Sequence, residues 1–84
     1  MTRFTVTWVA QAQGQLADIW NQASDRQKIT AAANFIDVEL ANDPYAKGVE
    51  VAEQLRELSV LPLRILFAVR EPDRIAEVLW VKLH

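Results

Sequence analysis

The sequence contains no cysteine, so neither a disulfide nor a thiolate metal site is open to it. Its one histidine, His84, leaves no imidazole cluster for a metal centre. The two glycines, Gly14 and Gly48, stand far apart and cannot make a glycine-rich phosphate loop. No apolar run reaches the roughly 18 residues that a bilayer crossing needs. The opening Met1-Thr2-Arg3-Phe4 passes straight into alternating residues without the apolar stretch of a secretory leader, so the cytoplasm is the expected location. No Ser-His-Asp arrangement emerges, and the acids form no ligand pattern. We therefore expect no metal, no cofactor and no membrane partner.

What is there fits one small folded unit. The chain has 84 residues, 51% of them hydrophobic, which predicts a single domain over residues 1–84. A domain of this size buries only about 60% of its unfolded surface, so its core must be thin. The net charge is −2, which gives no overall attraction to nucleic acid. Residues 1–55 hold four Lys/Arg against seven Asp/Glu, whereas residues 56–84 hold five against four. Any phosphate binding must come from a local patch in the second segment.

Arg3 to Trp8 alternates, with Phe4, Val6 and Trp8 on one side, and predicts a strand. From Val9 the period becomes helical, with Val9, Ala12, Leu16, Ile19 and Trp20 in phase, and predicts a helix over Ala10–Gln22. Ser24-Asp25-Arg26-Gln27 is a helix start in which Ser24 and Gln27 form a capping box. The second helix carries Ile29, Ala32, Ala33, Ile36 and Leu40, and ends near Asn42 because Pro44 disfavours helical geometry at Asp43. So short a connection makes the two helices an antiparallel hairpin, and Ala31, Ala32 and Ala33 permit close approach. Val49 to Glu53 is open between loop, helical turn and strand.

Three strands follow. Leu55–Val60 has an ambiguous inner face, because Leu55 and Leu58 differ in parity. Leu63–Arg70 puts Leu63, Ile65, Phe67 and Val69 on one face and Arg64, Leu66, Ala68 and Arg70 on the other. After a Glu71-Pro72-Asp73 turn, Arg74–His84 puts Ile75, Leu79, Val81 and Leu83 with Glu77, and Ala76, Val78, Trp80, Lys82 and His84 opposite. The expected fold class is α+β: an N-terminal strand, an antiparallel helical hairpin, then a three-stranded antiparallel meander. The helices cover one sheet face. The reverse face, with Arg64, Trp80, Lys82 and His84, has no remaining element to cover it.

That bare face is the candidate site. A guanidinium stabilises a phosphorane-like transition state, an ammonium holds phosphate, an imidazole moves a proton and an indole stacks on a base. The set suits metal-free cleavage of a phosphodiester by the RNA 2′-hydroxyl. The competing reading is an ordinary solvated strand face with a frayed terminal His84, a packing Trp80 and an edge Lys82. Arg56 and Arg70 lend themselves to partner binding or to ion pairs with Glu57 or Glu71.

The ordered set Phe4-Thr5-Val6-Thr7-Trp8, Leu16-Ala17-Asp18-Ile19-Trp20, Leu40-Ala41-Asn42-Asp43-Pro44, Gly48, Leu55-Arg56-Glu57-Leu58, Pro62 to Val69 and Val78-Leu79-Trp80-Val81 resembles the RelE/ParE superfamily of bacterial toxins. The resemblance spans nearly the whole chain. It implies the toxin of a type II toxin–antitoxin system and a cognate antitoxin whose acidic segment folds on binding. RelE-like members cut ribosome-bound mRNA, and their sheet arginine falls on Arg64, with Lys82 and His84 near their C-terminal functional groups. ParE-like members inhibit DNA gyrase without catalytic residues. This chain is acidic where RNA-cleaving members are basic, and Leu83-His84 stands where several carry a tyrosine. Three functions remain open: an mRNA interferase with Arg64, Lys82 and His84 catalytic and Arg56, Arg70 and Trp80 binding; a gyrase inhibitor; and an inactive homologue that serves as a binding partner.

Overall fold

A computed structural model describes residues 3–84; Met1 and Thr2, part of the opening read above, lie outside them. The elements are β1 (Thr5–Trp8), α1 (Ala10–Gln22), α2 (Arg26–Asn42), a 3-10 turn (Pro44–Ala46), β2 (Val49–Ala52), β3 (Leu55–Val60), β4 (Leu63–Arg70) and β5 (Ile75–Leu83). The five strands form one sheet in the order β1-β5-β4-β3-β2. β1 runs parallel to β5, and every other pairing is antiparallel. The chain is α+β, as its patterning predicts.

α1 has the expected limits. α2 starts one residue later than its capping box implies: Asp25, not Ser24, is the cap, and its side chain accepts from the Lys28 amide at 3.2 Å. A carboxylate serves better there, since it also meets the positive end of the helix dipole. The segment left open, Val49–Ala52, is an edge strand. Its pattern was unreadable because all four residues are exposed, with Val49 at 69% and Val51 at 54%.

The core lies between the helices and one sheet face. Ile29, Ala32, Ile36 and Leu40 of α2 and Ala12 of α1 meet Leu63, Ile65 and Phe67 of β4, all buried. Phe4 seals one end, and Leu58 and Val60 pack from β3, which resolves the parity of that strand. Each large side chain fully buried here contributes about 1.5–3 kcal/mol.

β5 departs from simple alternation. Leu66 is opposite Trp80 but Phe67 is opposite Val78, so Leu79 is an extra residue and β5 bulges. The bulge reverses parity along the strand. Ala76 and Val78, expected on the bare face, are fully buried in the core, while Leu79, expected in the core, is not. Beyond the bulge the expected alternation holds, so Val81 points inward and Trp80 and Lys82 outward. Gln15 of α1 secures this region by accepting the Val81 amide at 2.9 Å.

The helices do not close on each other as the three alanines imply. An open cleft of about 820 Å³ runs between α1, α2 and β1. Trp20, expected in the core, lies along it and stays 40% exposed.

Candidate functional site

The sheet face turned away from the helices is built from alternate residues of β3, β4 and β5. Ladder register sets them in two adjacent rows. One row reads Ser59, Arg64, Lys82; the next reads Glu57, Leu66, Trp80. Arg64 and Lys82 are therefore directly opposed on neighbouring strands, and Trp80 lies beside Lys82 on the same face.

Like charges at directly opposed positions disfavour each other. Both cations lean into the next row. Lys82 Nζ sits 4.9 Å from the centroid of the Trp80 ring, where the indole face attracts a cation. Arg64 Nε approaches Glu57 Oε2 to 4.0 Å, too far for a hydrogen bond. Arg64 Nε is screened from solvent and has no hydrogen-bond partner among the described residues. The rest of the guanidinium reaches water, for the Arg64 side chain is 32% exposed.

His84 follows the last residue of β5, and its amide donates to the Pro62 carbonyl at 2.9 Å. This continues the β4–β5 ladder by one step, so alternation puts His84 on the Arg64 side, one row beyond Lys82. The remaining predicted residues stand apart. Arg70 is on the same face but is held by Glu77, with Nη2 to Oε1 at 2.7 Å and Nε to Oε1 at 2.8 Å. Arg56 is on the opposite, helix-side face, because it pairs with Phe67 in register. Its Nε donates to the Lys47 carbonyl at 2.9 Å and its Nη2 to that of Gly48 at 3.2 Å. Arg56 thus fastens the loop before β2 and does not pair with Glu57.

Sequence reasoning considered Glu57 only as a partner for Arg56. The signal that places it beside Arg64 is the inward parity of Leu58 and Val60, which turns Leu55, Glu57 and Ser59 outward. The cleft on the helix side is the other feature that patterning missed. Leu16, Ala17, Ile29 and Ala33 line it between Trp8 and Trp20. Trp8 Nε1 donates to Asp37 Oδ1 at 2.7 Å and Trp20 Nε1 to Thr30 Oγ1 at 3.2 Å, so both indoles are anchored to α2. Arg26 caps the Trp20 ring at 4.5 Å. This cleft and the opposed cations therefore lie on opposite sides of the sheet.

No protein-family model matches the chain, and no curated protein matches its sequence. Solved structures match its shape. The toxin–antitoxin complex RelBE2 of Mycobacterium tuberculosis superposes with a TM-score of 0.82 at 16% identity, covering 100% of this chain and 94% of that one. The chromosomal ParDE system of Pseudomonas aeruginosa gives 0.68 at 15% identity, with 96% of both chains covered. The archaeal RelE–RelB complex of Pyrococcus horikoshii gives 0.68 at 16% identity, covering 98% and 96%. This is the RelE/ParE toxin fold. The likeness to the RelE/ParE scaffold extends over nearly the whole of this chain. Among the described residues, no helix is long and apolar enough to cross a membrane.

Proposed function

We propose that this chain is the toxin of a toxin–antitoxin pair and that its uncovered sheet face binds an anionic polymer, with RNA as the substrate. The observation that carries this reading is the direct opposition of Arg64 and Lys82 beside Trp80. Two cations so placed are stabilised when a phosphodiester lies between them. The surface is open and shallow, which suits an extended strand better than a small molecule. In a RelE-like reaction Arg64 stabilises the transition-state charge, Lys82 holds phosphate, Trp80 stacks on a base, and His84 transfers a proton. Arg70 lies at the margin of this surface, whereas Arg56 supports the fold.

One observation favours the ParE-like alternative. Glu57 and Glu77 offset much of the positive charge on this face, and affinity for RNA grows with each phosphate neutralised. A gyrase inhibitor has no need of that excess.

The similarity to RelBE and ParDE complexes supports a cognate antitoxin as partner. An acidic segment that folds on binding would neutralise Arg64 and Lys82 and cover Leu66 and Trp80. The cleft between α1 and α2 offers further apolar area to the same partner.

The deciding experiment is induced expression of wild type and Arg64→Ala, with growth measured and mRNA 5′ ends mapped. A ribonuclease arrests growth, produces new 5′ ends, and loses both effects with Arg64→Ala. Equal toxicity from both proteins removes Arg64 from the mechanism, and a DNA-damage response without new 5′ ends favours gyrase. Co-purification with the product of an adjacent small acidic open reading frame tests the partner.

A further inference from the structure

We infer that Glu57 is an internal competitor for Arg64: its carboxylate stands where an anionic group of the ligand must go, and it sets how strongly charged a ligand must be to displace it. This rests on the reading of the sheet face as an anion-binding surface.

Three observations converge on it. Glu57 is the carboxylate that approaches Arg64, and the two side chains are exposed to similar degrees, 32% and 34%. Their separation of 4.0 Å leaves Arg64 Nε without a hydrogen bond although solvent does not reach it. Glu57 thus attracts the guanidinium without bonding it through Nε, and a ligand acceptor meets the part of the Arg64 side chain that solvent does reach. Finally, the backbone of Glu57 is held on both sides. It lies between Val49 of β2 and Leu66 of β4, and Gly48 presses so close that a Cβ there would come within 2.2 Å of the Glu57 carbonyl oxygen. Glu57 therefore cannot drift away with its strand; only its side chain can yield.

The physical outcome is a threshold. A single weak anion gains little at Arg64, because it replaces an interaction that already exists. A polyanion that also engages Lys82 and Trp80 gains those contacts and can turn Glu57 aside. Such a face discriminates a nucleic-acid strand from isolated anions by charge density.

The test is binding of a short fluorescent single-stranded RNA to the purified chain and to Glu57→Gln, Arg64→Gln and the double variant, with folding checked by circular dichroism. Glu57→Gln should tighten binding about threefold to fivefold, the scale of a partly exposed ion pair. It should also steepen the logarithmic salt dependence by about 0.7, one further phosphate contact on a single strand. In the Arg64→Gln background the same substitution should change nothing. Tightening that persists without Arg64 overturns the inference, because it is then a general charge effect. No tightening, with Arg64→Gln still weakening binding, overturns the inference and leaves the sheet-face reading intact. No effect of Arg64→Gln, or no RNA binding by any of the four proteins, overturns both. Glu57→Asp is the second variant: its shorter reach should give an intermediate gain, and behaviour identical to wild type counts against competition.

Discussion

The indole nitrogen of Trp8 donates to a carboxylate oxygen of Asp37 at 2.7 Å, tying β1 to α2 across the cleft. Replacing Asp37 with Ala leaves that donor without its partner. Net hydrogen bonds of this kind contribute about 1 kcal/mol, and slightly more when one member is charged. Asp37→Ala should lower the melting temperature by about 4–8 °C, whereas Asp37→Asn should keep most of the stability, since its amide oxygen still accepts. Thermal unfolding of the two variants checks both outcomes.

The two glycines should respond with opposite sign. Gly48 has φ +69°, and an added Cβ would lie 2.2 Å from the Glu57 carbonyl oxygen, so Gly48→Ala should cost more than about 2 kcal/mol. Gly14 lies inside α1 with nothing within 4 Å of the same added atom. Gly14→Ala should stabilise the protein by about 0.5–1 kcal/mol. Urea unfolding measures both, and a stable Gly48→Ala protein would remove the close approach from the account of Glu57.

The bulge in β5 makes a third prediction. Val78→Ala should cost about 2 kcal/mol, because Val78 is fully buried against Phe67. Leu79→Ala should cost less, although it removes more carbon, because Leu79 is only half-buried. Gln15→Ala should cost about 1–3 kcal/mol by leaving the Val81 amide unpaired. The reverse ranking of Val78 and Leu79 in chemical unfolding would mean that β5 has no bulge.

Tyr45, the sole tyrosine, gives a pH-dependent readout. Although Tyr45 is 52% exposed, partial desolvation raises its pKa above the usual value of 10.0, and the Glu71 charge and its contact to the hydroxyl at 3.4 Å raise it further. A raised folded-state pKa means that the protein holds this proton more tightly than the unfolded chain does. The associated stability is full below pH 10.0 and is lost as pH climbs through the folded-state value. Ultraviolet titration of the tyrosinate should give a midpoint above that of free tyrosine. Glu71→Gln should move it part of the way back.

Patterning made some of this molecule legible and concealed the rest for physical reasons. α1 and β4 were readable because one face of each packs on the core, and β1 because Val6 and Trp8 pack against that core in alternation with its threonines. The candidate site was readable through Arg64, Trp80 and Lys82, because β4 alternates without interruption and the bulge precedes Trp80. The inner face of the first half of β5 was not, since a bulge leaves no mark on composition when Val78 and Leu79 are both apolar. β2 was hidden because an exposed edge strand has no inner face to show. Arg56 and Glu57 were misjudged together: adjacent residues on a strand project to opposite sides, and the parity of β3 decided which one met Arg64. The alanines of α2 predicted close helix packing, but the chain anchors the indoles of Trp8 on β1 and Trp20 on α1 to α2 and leaves a cleft.

β5 occupies an inner position in the sheet, with β1 on one side and β4 on the other. It is also the last of the five strands to leave a ribosome. Until it arrives, β1 has no neighbour to pair with, Phe67 lacks Val78, and Arg64 stands without Lys82. The core and the opposed cations are thus completed by the same late event. A nascent chain halted before residue 75 has neither, so the surface that would act on a target exists only after nearly all of these residues have been synthesised.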